Sequence, residues 1–271
     1  MIVGNDISKF QGTVDWNTYK NNTNFVIIKA SEGVGYIDGW FAGYRTEARN
    51  RNIPLGYYHF CRPDLGNFPQ AEANFFCSLL DGDPIREGEI IALDFEVTYT
   101  DCVNWCKQWL DTVSAHFGGM KPLIYLNQSQ TKGFNWKPVV DSGYGLWLAS
   151  YTYDPNKNTG DTGAWGFMAL QQWTSSQIVP GIIGNVDGDV FFGDVATFKA
   201  YGYKKPVVIP PTPPPPVTPP PVTPPVPPIT PPTPPVQPLD CCGTLRQVHD
   251  TLYGGGWWWI KWAAIKKIVP K

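Results

Sequence analysis

The 271-residue chain lacks the features that define several other classes of protein. It has no run of about 20 apolar residues, the length that a membrane-spanning helix needs. Its first residues show neither the basic start nor the run of about 7–15 apolar residues typical of a secretory signal peptide. We therefore expect synthesis in the cytosol, with release through some other route if the substrate lies outside.

An excess of positive charge is also absent. The formal net charge is −2, whereas a nucleic-acid-binding protein would need a basic surface, so we expect no nucleic-acid partner. The cysteines show neither zinc-site spacing nor a small-domain disulfide framework, and no metal or other cofactor is expected. Free thiols in a reducing cytosol are the favoured interpretation, with disulfides formed after export as the alternative. The six cysteines are Cys61, Cys77, Cys102, Cys106, Cys241 and Cys242.

Residues 206–239 contain no charged side chain and hold 19 of the 28 prolines. Such a segment cannot form helices or sheet ladders and is expected to adopt polyproline II. At about 3.1 Å per residue it would reach on the order of 100 Å when fully extended. The sequence therefore predicts a stiff Pro-rich linker between a domain of residues 1–205 and a small C-terminal segment, residues 240–271.

Within residues 1–205, eight short apolar runs alternate with amphipathic stretches such as 70–80 and 103–117. This order is typical of an α/β fold, and specifically of a TIM-like β/α barrel. The segments 156–163 and 175–182 are too short for full helices, so we expect an irregular barrel with shortened late helices. The predicted strands are Ile2–Asp6, Phe25–Lys29, Leu55–His59, Ile90–Phe95, Leu123–Tyr125, Leu146–Ser150, Ala169–Trp173 and Val186–Val190.

The fourth predicted strand ends in two carboxylates, Asp94 and Glu96. Because strand side chains alternate between faces, both acids point the same way. Two like charges on one face of a buried strand cost free energy, through desolvation and through repulsion. That cost is tolerated where one carboxyl group must hold a proton beside another that stays ionised. Glycoside cleavage is the chemistry that this arrangement most often supports.

Further motifs surround this pair in the expected order of a known family. They are Gly-Asn-Asp-Ile-Ser-Lys-Phe-Gln-Gly at 4–12, Phe-Val-Ile-Ile-Lys-Ala-Ser-Glu-Gly at 25–33, Gly-Tyr-Tyr-His-Phe at 56–60, Leu-Gln-Gln-Trp at 170–173 and Gly-Asn-Val-Asp-Gly-Asp-Val-Phe at 184–191. Together they resemble glycoside hydrolase family 25, the Chalaropsis-type lysozymes common among phage endolysins and bacterial autolysins. The resemblance extends from residue 1 to about residue 200.

The resemblance implies roles for four acids. Glu96 would be the general acid, acting later as a base on water, and Asp94 would stay ionised and orient the 2-acetamido group of the substrate. Asp6 and Asp187 would flank the site and raise the pKa of Glu96. For the last position, Asp189 and Asp194 compete with Asp187.

Polar and aromatic residues near the strand ends are the candidate substrate contacts, because barrel active sites are built at the carboxyl ends of the strands. For the aromatic residues the alternative is the core, and His59 is equally well explained as a hydrogen-bonded scaffold residue. Lys29 and Glu32 are predicted to form a structural ion pair. The candidate substrate contacts are Tyr57, His59, Tyr125, Trp147, Tyr151, Gln172 and Trp173.

The partner that the resemblance implies is bacterial peptidoglycan. The reaction would be hydrolysis of the β-1,4 bond between N-acetylmuramic acid and N-acetylglucosamine, most plausibly by a phage endolysin that leaves the host cytoplasm to reach the cell wall. Two rival functions are a glycosidase acting on chitin-like N-acetylglucosamine polymers and a catalytically silent barrel that only binds glycans.

The C-terminal segment mixes tryptophan with lysine in residues 257–269 and carries a net charge of +3 over residues 240–271. This composition suits a bilayer interface or an anionic polymer of the cell envelope, although about 13 residues are too few to span a membrane. The alternatives are a small oligomerisation element, with Cys241 and Cys242 bridging chains, and a marginally ordered remnant.

If the segment is a tether, it acts by raising the effective concentration of the barrel at its substrate. Deleting residues 206–271 should then leave activity on soluble fragments intact and lower the rate of lysis of whole cells. Both rates should be measured at equal protein concentration. Equal rates of whole-cell lysis by the full chain and by residues 1–205 would show that the C-terminal segment does not act as a tether.

Overall fold

The computed structural model describes residues 1–205. The predicted linker at 206–239 and the segment at 240–271 lie outside the described residues, as do Cys241 and Cys242. Among the described helices, none combines the length and the apolar character needed to cross a membrane.

Eight strands form a closed barrel, and a short ninth strand, β3, pairs with the end of β2. All eight predicted strands are present, with ends shifted by a few residues. The strands are β1 Ile2–Ile7, β2 Val26–Glu32, β3 Tyr36–Ile37, β4 Leu55–Phe60, β5 Ile90–Asp94, β6 Leu123–Asn127, β7 Leu146–Ala149, β8 Leu170–Gln177 and β9 Val186–Phe191.

Strand pairing runs in parallel from β1 through β2, β4, β5, β6, β7 and β8. The last strand, β9, closes the barrel by pairing antiparallel with both β8 and β1. The prediction of an irregular TIM-like barrel is therefore confirmed, with one strand reversed relative to an all-parallel barrel.

The reversal of β9 follows from the length of its connection. A parallel return needs a crossover of a dozen or more residues, whereas residues 178–185 form a short link without a helix. Residues 150–169, between β7 and β8, likewise contain no helix, so the expected shortening of the late helices is confirmed. Residues 175–177, predicted as loop, instead extend β8.

Helices cover the outside of the barrel. Alternate strand residues point outward and form one apolar layer with these helices, in which Trp109 of α4 is fully buried. The predicted helices at 70–80 and 103–117 are present as α3 and α4. The helices are α1 Trp16–Tyr19, α2 Phe41–Asn50, α3 Pro69–Asp81, α4 Cys102–His116, α5 Gln128–Gly133, α6 Lys137–Asp141 and α7 Val195–Tyr201.

The opposite faces of the strands fill the inside of the barrel. This second apolar cluster includes Phe25, Ile27, Ala92, Leu170 and Phe191 and closes one end of the barrel. The polar strand residues are therefore confined to the other end. The four described cysteines are buried free thiols in the outer layer.

The packing inside the barrel leaves no room for a side chain at Gly4 of β1. A Cβ atom there would lie 2.4 Å from the carbonyl oxygen of Phe25 and 2.6 Å from its ring. Gly43, in contrast, lies on an exposed turn of α2 with open space around it.

We expect Gly4→Ala to lower the free energy of unfolding by about 1–3 kcal/mol, because overpacking forces the backbone apart. The matched variant Gly43→Ala should raise it by about 0.5–1 kcal/mol, because alanine loses less entropy in a helix. Urea denaturation of both variants measures the difference. Equal stabilities would contradict the tight interior.

Candidate active site

Four acidic side chains meet at the polar end of the barrel. Asp6 lies near the end of β1, Asp94 is the last residue of β5, and Glu96 follows two residues later. Because β9 runs in the opposite direction, its second residue, Asp187, reaches the same end and pairs directly with Asp6. All four line one cleft with a volume of about 240 Å³.

Four of the predicted substrate contacts also line this cleft: Tyr125, Trp147, Tyr151 and Gln172. Gln172 holds several groups together. Its Nε2 donates to Oδ2 of Asp6 at 2.8 Å, and its Oε1 accepts from the hydroxyl groups of Tyr125 at 2.9 Å and Tyr151 at 3.0 Å. The Asp6 carboxyl group is thereby linked to two aromatic walls of the cleft.

Burial dominates the electrostatics of the four acids. Desolvation, followed by the charge of Glu96, raises the pKa of Asp94 well above its usual value. Burial also raises the pKa of Glu96. Burial and the charges of Asp187 and Asp189 raise the pKa of Asp6, and burial with the charge of Glu96 raises that of Asp187 to about 6. The cleft therefore contains carboxyl groups whose pKa values lie above those of ordinary exposed acids.

Lys29 is the one lysine or arginine among the described residues that line the cleft. Its Nζ lies 2.8 Å from Oε2 of Glu32, so the predicted ion pair is present, and 4.7 Å from the centre of the Phe60 ring. Its positive charge lowers the pKa of Asp94 and of Glu96, against the effect of burial. Lys29 thus joins the electrostatics of the site, a role beyond the predicted ion pair.

Three predicted substrate contacts lie elsewhere. Tyr57 and His59 point to the outer face of β4 and are fully buried beneath the helices, so neither lines the cleft. The hydroxyl of Tyr57 donates to Glu89 at 2.9 Å. Trp173 follows the inward-facing Gln172 and is also absent from the lining; it packs over Gly188. Adjacent strand residues point to opposite faces, which explains all three corrections.

His59 is a hydrogen-bonded scaffold residue, the alternative to its interpretation as a substrate contact. Its Nδ1 lies 2.9 Å from Oγ of Ser31, its Nε2 lies 2.9 Å from Oε2 of Glu72, and its ring stacks on Trp109. All of these contacts are buried below the outer helices, and burial lowers the pKa of His59.

Tyr58 is the principal residue missed from the sequence. It points inward from β4, lines the cleft and packs edge-on against Trp147. Burial, followed by the charge of Asp6, raises the pKa of its hydroxyl well above the usual value. Phe60 lines the cleft as well, two residues further along the same face.

The three competing late acids have different surroundings. Asp187 lines the cleft, whereas Asp189 is fully buried below it and accepts a hydrogen bond from Nε1 of Trp147 at 2.9 Å. Asp194 is remote and caps α7 by accepting from the backbone N–H of Thr197 at 2.7 Å. No group of three or more His, Cys, Asp or Glu side chains within residues 1–205 could hold a metal ion.

Comparison with known proteins agrees with this site. Residues 5–182 match the family described as Glycosyl hydrolases family 25. The chain belongs to this family. The predicted resemblance is therefore confirmed, and the protein is a glycoside hydrolase of the lysozyme, or muramidase, type.

Individual proteins similar to this chain are named lysozyme, endolysin or muramidase. The chain is 27% identical over 217 residues to Lysozyme M1 of Streptomyces globisporus, with 73% of this chain and 70% of the relative covered. It superimposes on the structure of the CTP1L endolysin with 27% identity and a TM-score of 0.62, covering 74% of this chain and 70% of that one. It also superimposes on the structure of the muramidase from Acremonium alcalophilum with 25% identity and a TM-score of 0.61, covering 74% of this chain and 98% of that one.

The buried acids of this family 25 hydrolase should make its stability depend on pH. In the unfolded chain their pKa values are about 4, so between about pH 4 and pH 7 the folded state binds more protons than the unfolded state. The contribution of these acids to the free energy of unfolding should therefore fall as the pH rises from about 5 to 7, whereas His59, whose pKa is lowered by burial, contributes in the opposite direction.

Thermal unfolding across this range provides the measurement. Because the pKa of Asp187 is raised to about 6, the Asp187→Asn variant should show a shallower decline than the wild type. An identical pH dependence for Asp187→Asn and the wild type would contradict the raised pKa of Asp187.

Proposed function

We propose that this protein is a peptidoglycan N-acetylmuramidase that hydrolyses the β-1,4 bond between N-acetylmuramic acid and N-acetylglucosamine, and that it acts as an endolysin on the wall of a bacterial host. The observation that carries this proposal is the placement of Glu96 and Asp94 in one desolvated cleft, with their pKa values raised and Lys29 beside them.

Glu96 is the proposed general acid. Burial raises the pKa of its carboxyl group, which favours the protonated form that can donate a proton to the leaving glycosidic oxygen. After the bond has broken, the same group, now ionised, would take a proton from the attacking water. Glu96 is exposed to solvent at the cleft, which fits a group that must exchange a proton with each substrate.

Asp94 is the proposed ionised partner of Glu96: burial raises the pKa of Asp94, and the positive charge of Lys29 acts against burial and favours the carboxylate. One oxygen of its buried carboxyl group has no hydrogen-bond partner among the described residues and is free to accept one from a substrate. The natural donor is the N–H of a 2-acetamido group, whose oxygen could then attack the anomeric carbon. In the alternative mechanism an enzyme carboxylate attacks and forms a covalent intermediate, which requires carboxyl groups about 5–5.5 Å apart.

Asp6 and Asp187 would flank the reaction centre from the opposite side of the cleft. Their direct pairing across β1 and β9 fixes their separation, and the hydrogen bond from Gln172 orients Asp6. The charge of Glu96 contributes to the raised pKa of Asp187, so the two groups act on each other across the cleft. Protonation of one would favour ionisation of the other.

Aromatic walls would hold the sugar rings. Tyr58, Tyr125 and Trp147 form a buried wall in which Tyr125 and Trp147 lie edge to face at 4.9 Å. Tyr151, about half exposed, continues this surface toward solvent. Flat aromatic faces bury the apolar faces of sugar rings, while the tyrosine hydroxyl groups remain available for hydrogen bonds.

Two rival functions are weaker on the same observations. A silent glycan-binding barrel gains nothing from four acids in one cleft, two of which are buried at a cost in free energy. A glycosidase of chitin-like polymers needs the same acids, so only the products distinguish it. The likeness to an endolysin and to a lysozyme supports a role at the bacterial wall.

Digestion of purified peptidoglycan tests the proposal. Mass spectrometry should find new reducing ends on N-acetylmuramic acid, with no cleavage of chitin oligomers at the same enzyme concentration. Glu96→Gln should lower kcat by about 10²–10⁴-fold and retain binding, because glutamine keeps the shape but cannot transfer the proton.

The matched control is Glu47→Gln, an exposed acid on α2 paired with Arg51 and remote from the cleft, which should keep wild-type kcat. Full turnover by Glu96→Gln would show that the acid is misassigned. New reducing ends on N-acetylglucosamine alone would reject the muramidase.

A further inference from the structure

A fifth carboxyl group, Asp189, lies in the barrel directly below the cleft and makes no contact with solvent. It is inward-facing on β9, two residues after Asp187, and therefore one layer deeper. A fully buried carboxyl group is rare unless a partner compensates its charge. The roles proposed for the other four acids do not account for it.

The hydrogen bonds of Asp189 are incomplete. Its Oδ1 accepts from the indole N–H of Trp147 at 2.9 Å, whereas its Oδ2 is buried with no donor among the described residues. Asp6 lies next to it on the adjacent strand, because Asp189 pairs with Gly4, two residues before Asp6 on the same inward face of β1. Asp6 itself has Oδ2 occupied by the amide of Gln172.

We propose that Asp189 is a positioning residue: the carboxyl groups of Asp6 and Asp189 share one proton, and this hydrogen bond fixes the Asp6 carboxyl group below the reaction centre. The shared proton supplies the donor that Oδ2 of Asp189 lacks. It also reduces the charge of the pair from −2 to −1, which two adjacent desolvated carboxylates require. This positioning role rests on the proposed muramidase function; the shared proton does not.

The groups around the pair come from several strands and one helix. Asp187 faces the pair from β9 itself. From the other strands, the pair is faced by Gln172 of β8, Trp147 of β7 and Tyr58 of β4. The hydroxyl of Tyr19 in α1 donates to the side chain of Asn5, the residue before Asp6. None of these groups carries a positive charge, so a proton is the available means of compensation. In agreement, burial followed by the charge of Asp187 raises the pKa values of both Asp6 and Asp189.

Replacing Asp189 with asparagine separates this proposal from a purely structural role. The amide of asparagine can accept from Trp147 and donate permanently to Asp6, so that no proton has to be taken up. The wild type, in contrast, must hold a proton that the unfolded chain releases above about pH 4. Between pH 5 and 8, the ratio of the wild-type to the variant unfolding equilibrium constant should therefore rise toward about tenfold per pH unit.

Urea denaturation of the full chain at several pH values measures this ratio without any substrate. Asp6→Asn, in which the amide donates in the other direction, should give the same trend and serves if Asp189→Asn does not fold. Asp101→Asn, an exposed acid before α4, is the control and should give a constant ratio. A constant ratio for Asp189→Asn would overturn the shared proton.

Activity on purified peptidoglycan tests the positioning role. Asp189→Asn should keep kcat within about twofold of the wild type, whereas Asp189→Leu, which leaves Asp6 without its partner, should lose at least about tenfold in kcat at nearly unchanged KM. Equal kcat values for the two variants would overturn the positioning role. If the wild type cleaves no peptidoglycan, the proposed function fails, and the pH trend still decides whether the proton is shared.

Discussion

Repulsion among buried carboxyl groups is the constraint on which the rest of this structure depends. Five acids lie at one end of the barrel, three of them buried (Asp6, Asp94 and Asp189), and Lys29 is the one lysine or arginine among the described residues that line their cleft. Elsewhere the same protein compensates a buried acid with a cation: Glu89 lies 2.7 Å from Arg49, and both side chains are almost fully buried. For the cleft acids burial instead raises the pKa values, which favours bound protons and suits acid–base catalysis.

The reversed direction of the last strand places its two aspartates at different depths in the barrel. Had β9 run parallel to β8, the residue near its start would lie at the closed apolar end of the barrel. Running antiparallel, it brings Asp187 to the mouth opposite Asp6 and leaves Asp189 one layer below. A connection too short for a helix thus contributes to which of two neighbouring aspartates lines the cleft and which remains in the interior.

The sequence predicted the strands, their order and the acids of the cleft, because parallel strands carry their terminal residues to one end of a barrel. It did not predict which face of β4 points inward. Both faces of a barrel strand are buried, so the apolar run Leu-Gly-Tyr-Tyr-His-Phe shows no alternation that would distinguish them. A shift of one residue exchanges the two faces, so the sequence points to Tyr57 and His59 as substrate contacts, whereas the structure places Tyr58 in the cleft.

The long-range hydrogen bonds could not have been predicted from one sequence either. Gln172 is separated from Asp6 by 166 positions, and its neighbour Gln171 is equally buried, with its amide bonded to the backbone of Ser150. Two adjacent glutamines of the same strand therefore have different roles, one in the cleft and one outside it. Only the closed barrel distinguishes them.

The buried contacts of His59 also matter to the cleft, although they lie outside it. Glu72, the partner of His59, accepts two hydrogen bonds from the backbone N–H of Arg62, whose guanidinium lies 2.9 Å from Glu32, the partner of Lys29. This chain of contacts holds the ammonium group of Lys29 at one side of the cleft, where its charge lowers the pKa values of Asp94 and Glu96. The pKa of Asp187, in contrast, is shifted only by burial and by the charge of Glu96. The field in the cleft is therefore asymmetric. The charge of Lys29 favours the ionised forms of Asp94 and Glu96 against the effect of burial, and the contacts of a histidine outside the cleft help to hold that charge in place.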